Sequence, residues 1–211
     1  IITLISDNMK KRRGTAAQFF QSLAIANVNI VAIAQGSNER SISAVIEADR
    51  VKRGLSSCHQ LFFNSIQQVE IILVGCGLVG DAFLNQIQKQ QEYLANQNIK
   101  IKVCGIVNSK GALLQEGGID VKNYKYLLKT ELQHINRQIL KQFRKQSNMI
   151  NPIIVDCTSS ESVAEAYVDF FQAGYHIVAA NKKANTLSIE YFTKLKRLAI
   201  QSNRQFNYET N

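Results

Sequence analysis

Six residues, Gly75-Cys76-Gly77-Leu78-Val79-Gly80, constrain the fold of this chain more than any other feature. A G-x-G-x-x-G hexapeptide alone is a weak signal. This one follows a mostly apolar run, residues 69–74, and opens a segment with Val79, Phe83, Leu84, Ile87 and Leu94 on one helical face. A buried strand, a glycine turn and an amphipathic helix in that order open a dinucleotide-binding βαβ unit. Gly75 permits the tight turn, Gly77 lets a pyrophosphate approach the backbone, and Gly80 lets helix and strand pack closely. The helix N-terminus then offers N–H groups and a positive dipole end to the phosphates. The plain alternative is an ordinary strand-to-helix turn.

From that motif onward the chain alternates. Strands are predicted at 69–74, 101–107, 153–157, 175–180 and 206–208. Helix is predicted at 79–97, from about 122 to 146, at 161–172 with Gly174 as its cap, and at 189–201; residues 108–122 form a polar, glycine-bearing stretch. Such alternation implies an α/β class, a Rossmann-type doubly wound parallel sheet covered on both faces. Upstream the order differs. Strand at 2–5, helix at 15–26 (Ala16, Phe19, Phe20, Leu23), strands at 30–34 and 41–47, and helix at 48–63 (Val51, Leu55, Cys58, Phe62) follow one another, with a turn cluster at 36–40. That β-α-β-β-α order is most of a ferredoxin-like βαββαβ unit, one strand short. Two domains are expected, an incomplete α+β one at 1–65 and the dinucleotide-binding one at 66–211.

Composition narrows the function classes. With 45% hydrophobic and 19% charged residues the chain can bury a core, which excludes disorder. No apolar run reaches the roughly 18–20 residues of a membrane span, and no leader pattern opens the sequence. A cytoplasmic chain with no membrane partner is expected, and the missing initiator Met suggests an excised or processed segment. Cys58, Cys76, Cys104 and Cys157 show no C-x-x-C spacing, and His59, His134 and His176 are scattered, so the thiols read as small buried hydrophobes rather than zinc ligands. The net charge of +9 is spread over Lys10-Lys11-Arg12-Arg13, 141–145, Lys182-Lys183 and 194–197 without aromatic interleaving. Solvated helix faces and a local phosphate site account for it better than nucleic acid does.

Three loops follow predicted strands at the edge where open α/β sheets bind ligands. Asn108-Ser109-Lys110 lacks the Asp or Glu that usually holds the ribose of NAD; Asn108 and Ser109 can bond a ribose and Lys110 can meet a 2′-phosphate. That favours NADP, with NAD as the alternative, unless Lys110 is merely solvated. Asp156-Cys157-Thr158-Ser159-Ser160 offers hydroxyls to the nicotinamide ribose or to a helix cap. Asn181-Lys182-Lys183 sets Lys182 at the same edge.

The strings IILVGCGLVGDAFLNQI, VCGIVNSKGALL, IIVDCTSS, VAANKKANT and FNYETN, in this order, resemble the cofactor domain of homoserine dehydrogenase. RGTAAQFFQSLAIANVNIVAIAQGSNERSISAVI resembles the regulatory ACT domain fused to it in bifunctional aspartokinase/homoserine dehydrogenases. The resemblance covers essentially the whole chain. It implies NAD(P)H-dependent reduction of aspartate 4-semialdehyde to homoserine, in threonine and methionine biosynthesis, by a homo-oligomer. It implies diphosphate contacts around Cys76, Leu78 and Val79, nicotinamide-side positions at Thr158 and Lys182, beside the Ser159 hydroxyl already read as cofactor-binding, and a monovalent cation such as sodium near Glu209. Gln35 matches a position that binds the effector threonine in threonine-sensitive relatives; the plain reading is a turn-flanking polar residue. The family's catalytic lysine and acidic substrate-binding residues lie in a further domain, so no catalytic residue is expected before Asn211. The opposing class is a non-catalytic ACT–Rossmann ligand sensor, or an inactive fragment.

Overall fold

The computed structural model describes residues 1–6, 9, 13–36, 40–63, 66–134 and 138–209. Most of the basic run at 10–13, the middle of the 36–40 turn cluster, residues 64–65 at the expected domain boundary, and residues 210–211 lie outside the described residues. The chain divides into two units, Ile1–Gln67 and Gln68–Asn211.

The first unit runs β1 (Ile2–Ile5), α1 (Thr15–Ile25), β2 (Ile30–Gln35), β3 (Ser41–Ile46) and α2 (Val51–Phe63), with a 3-10 turn at Ala48–Arg50. Its antiparallel sheet has the order β1-β3-β2, as a ferredoxin-like unit requires. Ile42, Ala44 and Ile46 of β3 alternate inward with Ile2 and meet Phe19 and Leu23 of α1 and Cys58 of α2. One helical stripe differs from expectation. Leu55 is 54% exposed; Cys58 faces inward as expected, with Val51 and Phe62 packed on the same core, and Gly54 and Ser57 turn inward in place of Leu55. A Cβ on Gly54 would stand 3.0 Å from Ile2 Cδ1 and 3.2 Å from Leu23 Cδ2. Close approach of helix to sheet, rather than a large side chain, fills that position.

The second unit runs β4 (Gln67–Val74), α3 (Leu78–Lys89), α4 (Gln91–Asn96), β5 (Ile99–Val107), β6 (Ala112–Leu114), α5 (Tyr124–Thr130), α6 (Ile139–Gln146), β7 (Ile153–Asp156), α7 (Glu161–Glu165), α8 (Tyr167–Gln172), β8 (His176–Ala179), α9 (Lys183–Thr186), α10 (Ile189–Gln201) and β9 (Phe206–Tyr208). The six strands lie in the order β6-β5-β4-β7-β8-β9. Pairs β4/β7, β7/β8 and β8/β9 are parallel. Ile71 and Leu73 pack into one core with Leu84 and Ile87 of α3. Ile72 and Val74 pack into the other with Phe171 of α8 and Leu195 of α10. Burial on both faces is why this strand reads as a continuous apolar run. The sheet order reverses between β4 and β7, the switch point at which open sheets bind ligands.

Three expectations need correction. The polar stretch after β5 contains β6, which pairs antiparallel to β5, so the sheet is mixed at its edge. The hairpin is closed by Asn108-Ser109-Lys110-Gly111, whose turn chemistry outweighs the shortness of the strand. The helix expected at 79–97 is two helices, divided at Gln90, whose backbone leaves the helical region (φ −97°, ψ 7°). The helical stretches expected at 122–146 and 161–172 are likewise each divided in two. Among the described residues no helix is long and apolar enough to cross a membrane.

Candidate functional site

The glycine loop at the end of β4 divides its tasks by position. Gly75 has φ 91°, in the left-handed region open to glycine. Its N–H donates to Val107 O at 2.8 Å, tying the loop to the end of β5. A Cβ there would stand 2.6 Å from Thr158 Cγ2, so the loop is also packed on the segment after β7. A Cβ on Gly80 would collide with Gly75 O, which makes the third glycine a packing requirement of the turn. Gly77 differs: its φ is negative, and a Cβ on it would meet nothing within 4 Å. Nothing in the protein requires glycine there, so the open space is room for a ligand against the backbone.

Gly77 is also the N-cap of α3, and no side chain caps the helix. Leu78 is 94% exposed in the first turn, and Val79 is exposed beside it. A twelve-residue helix thus presents uncapped N–H groups and its positive dipole end at the open loop. The one carboxylate of the first turn, Asp81, is turned away. It accepts hydrogen bonds from Lys125 Nζ, at 2.7 Å, and from the Tyr124 hydroxyl. Those two donors hold its carboxyl below the usual range. Burial and that contact push the Tyr124 hydroxyl up. Sequence reasoning missed this pairing, for which an interval of more than forty residues gives no local signal.

At the end of β5 the Asn108 side chain builds the hairpin turn. Its Oδ1 accepts from Lys110 N at 2.8 Å and Gly111 N at 3.0 Å, and its Nδ2 approaches Cys76 Sγ at 3.7 Å. Ser109 and Lys110 project as exposed residues. At the ends of β7 and β8 a buried network takes over. Asp156 is 0% exposed. Its Oδ1 accepts from Thr158 N at 2.8 Å, and its Oδ2 accepts from Tyr167 OH at 2.6 Å and Asn181 Nδ2 at 2.9 Å. Burial, then the Asp156 charge, raises the Tyr167 hydroxyl far above its ordinary value and pushes the Cys157 thiol up to about 11. Ser160 caps α7 by accepting from Val163 N, Ser159 is exposed, and Lys182 is exposed at the start of α9.

The glycine loop is therefore in contact with the β5 hairpin on one side, through Cys76 and Asn108, and with the loop after β7 on the other, through Gly75 and Thr158. The loop after β7 in turn contacts the loop after β8 through Asn181. Beside them an apolar groove of about 700 Å³ runs between Leu78, Val79 and Phe83 of α3 and Val178, Tyr208 and Glu209. Glu209 is exposed at this groove, and the described residues contain no group of three His, Cys, Asp or Glu suited to a metal. Gln35 lies elsewhere, exposed at the end of β2 in the first unit. The arrangement can cradle an anionic diphosphate at α3 and hold polar groups beside an apolar ring.

Comparison with known proteins gives matches for both units. Residues 75–209 match the family model "Homoserine dehydrogenase, NAD binding domain" and residues 2–62 match the ACT domain model. The chain is 44% identical over 211 residues to the bifunctional aspartokinase/homoserine dehydrogenase of Haemophilus influenzae, covering 100% of this chain and 26% of that protein. It is 36% identical over the same length to that of Buchnera aphidicola, again 100% and 26%. The chain thus spans about a quarter of the length of these curated relatives. A solved hyperthermophilic archaeal homoserine dehydrogenase in complex with NADPH superposes with a TM-score of 0.54 at 22% identity, covering 68% of this chain and 44% of that one, a likeness of fold.

Proposed function

The chain belongs to the bifunctional aspartokinase/homoserine dehydrogenase family, as the NAD-binding domain of homoserine dehydrogenase behind an ACT domain, and from that premise we propose that its second unit binds NADPH for the reduction of aspartate 4-semialdehyde to homoserine in a longer protein. The observation that carries this reading is the open space at Gly77 beside the uncapped N-terminus of α3. The residues present fit a dinucleotide. Backbone N–H groups of Gly77, Leu78, Val79 and Gly80 hold the diphosphate, with Gly75 and Cys76 shaping the turn. Ser109 and Lys110 hold the adenosine ribose and its 2′-phosphate; Asn108, with Oδ1 occupied by the turn, contributes one Nδ2 proton. Thr158, Ser159 and Lys182 face the nicotinamide half.

When bound, the nicotinamide supplies a hydride for the carbonyl carbon of the substrate. The chain's own part is to bind and orient, and the substrate-holding groups belong to the remaining length of the relatives. Within the same reading the ACT unit takes an amino-acid effector, threonine, at Gln35. A monovalent cation sits near Glu209, the protein is a cytoplasmic homo-oligomer, and neither nucleic acid nor membrane is a partner.

Cofactor choice tests the adenosine end. Lys110→Glu is expected to weaken NADPH by roughly 1–3 kcal/mol, the worth of a charge-assisted contact, and NADH far less. Calorimetric titration of both cofactors reads it. Equal losses for the two would remove Lys110 from the 2′-phosphate.

A further inference from the structure

The network beneath the loops after β7 and β8 fixes a polarity as well as a shape. Thr158 Oγ1 has two neighbours within hydrogen-bond distance, Ser160 N at 3.2 Å and Asn181 Nδ2 at 3.2 Å. Both are nitrogens that donate and cannot accept. The orientation of the Asn181 amide is set by its surroundings. Its Nδ2 lies 2.9 Å from the Asp156 carboxylate and 2.9 Å from Ser160 O, neither of which carries a proton to give. Its Oδ1 accepts from Lys183 N at 3.1 Å. Two obligate acceptors take the two amide protons, and turning the amide over would set oxygen against a carboxylate and a carbonyl. Asp156 cannot shift to relieve this, because its other oxygen is held by Thr158 N and it is fully buried under Tyr167. The Thr158 methyl is packed as well, since its Cγ2 lies 2.6 Å from where a Cβ of Gly75 would stand.

We propose that Asp156 and Asn181 are positioning residues that make the Thr158 hydroxyl a donor alone, reserved for an acceptor oxygen on the nicotinamide-ribose half of the dinucleotide. The inference rests on the dinucleotide reading above. Among the described residues the Thr158 proton has no acceptor, and the residue is half-buried at the crevice. A hydroxyl that accepts from Ser160 N, abuts an amide nitrogen and has no protein acceptor among the described residues for its own proton discriminates: it rewards a carbonyl or hydroxyl oxygen and penalises a ligand N–H. Asp156 acts through Asn181. With Asn at 156 the Asn181 amide loses the carboxylate on its Nδ2, and Ser160 O and Lys183 N alone are left to keep the donor face of the amide toward Thr158 Oγ1.

The test is a set of titrations with NADPH and with 2′,5′-ADP, which lacks the nicotinamide ribose. Thr158→Val keeps the shape and removes the proton; it is expected to weaken NADPH about tenfold, the upper range for one hydrogen bond, and to leave 2′,5′-ADP unchanged. Thr158→Ser is expected to restore NADPH binding. Asp156→Asn is expected to weaken NADPH, by no more than Thr158→Val does, in the wild-type background and to have no effect in the Thr158→Val background. A purely structural role would instead lower the affinity for both nucleotides and persist in the double variant, and either result overturns the proposal, as does wild-type NADPH affinity in Thr158→Val. Failure of the unsubstituted protein to bind either nucleotide would remove the dinucleotide reading itself.

Discussion

Replacing Gly77 by Val is expected to abolish NADPH binding while the protein keeps its melting temperature. The backbone at Gly77 has φ −74° and ψ −158°, an extended conformation that a β-branched residue adopts readily. A Cβ added there would meet no protein atom within 4 Å outside its chain neighbours. The fold therefore has no objection to it. The diphosphate does, because the side chain fills the space in which phosphate oxygens would reach the first N–H groups of α3. A loss of more than about 100-fold, about 3 kcal/mol, follows if those contacts carry the binding. Gly80→Val supplies the contrast. Its Cβ would collide with Gly75 O and stand 3.4 Å from Leu73 Cδ2. That variant is expected to lose stability, by about 1–3 kcal/mol or more, and to lose binding as a consequence. Calorimetry and thermal melting of the two variants separate a ligand-facing glycine from a packing glycine. Near-normal NADPH affinity in Gly77→Val would contradict the phosphate-loop assignment.

The second large effect concerns turnover. The 211-residue chain is expected to show no homoserine oxidation or aspartate 4-semialdehyde reduction above background. A polypeptide extended to the length of the relatives is expected to be active. Three of the described acids around the crevice are already engaged, and Glu209 stands exposed at the groove. Asp156 is buried under its donors, Asp81 is bound to Tyr124 and Lys125, and Glu161 lies 3.9 Å from Lys183 Nζ. Lys182 is exposed at the crevice, but one cation neither holds an amino-acid substrate at near-attack distance nor supplies a complete acid–base pair. Positioning accounts for about five orders of magnitude or more in rate, and a positioned acid or base for about two to four. Following NADPH consumption in both polypeptides measures the difference. Equal turnover in the short chain would show that the catalytic groups lie within it.

How far the sequence foretold this site depended on whether its signals were local. Gly75, Gly77 and Gly80 were legible because each needs a short-range reason, a turn, a gap or a close packing, within one strand–turn–helix unit. The helix at Ile189–Gln201 was legible from apolar periodicity, and the strand at Phe206–Tyr208 from the alternation of strand and helix that precedes it. β6 was not, because three residues carry no period and the turn before it reads simply as polar. Asn108 was read as a ribose ligand, whereas its Oδ1 closes the hairpin, a role that only the fold of residues 108–111 reveals. Asp156 and Asn181 stood in plain view in their motifs, yet their pairing across 25 positions depends on β7 and β8 being neighbours in the sheet. The inward stripe of α2 was misread at Leu55 because a buried glycine gives no hydrophobic signal.

The central claim is that the dinucleotide lies across the ends of β4, β5, β7 and β8, against the N-terminus of α3. Amide hydrogen exchange with and without saturating NADPH tests it residue by residue. The expected result is slowed exchange at Gly77–Asp81, Ser109–Lys110, Thr158–Ser160 and Asn181–Lys183, with the β1–β3 sheet of the first unit unaffected. Protection confined to the first unit, or unchanged exchange at Gly77–Asp81 in a protein saturated with NADPH, would contradict it.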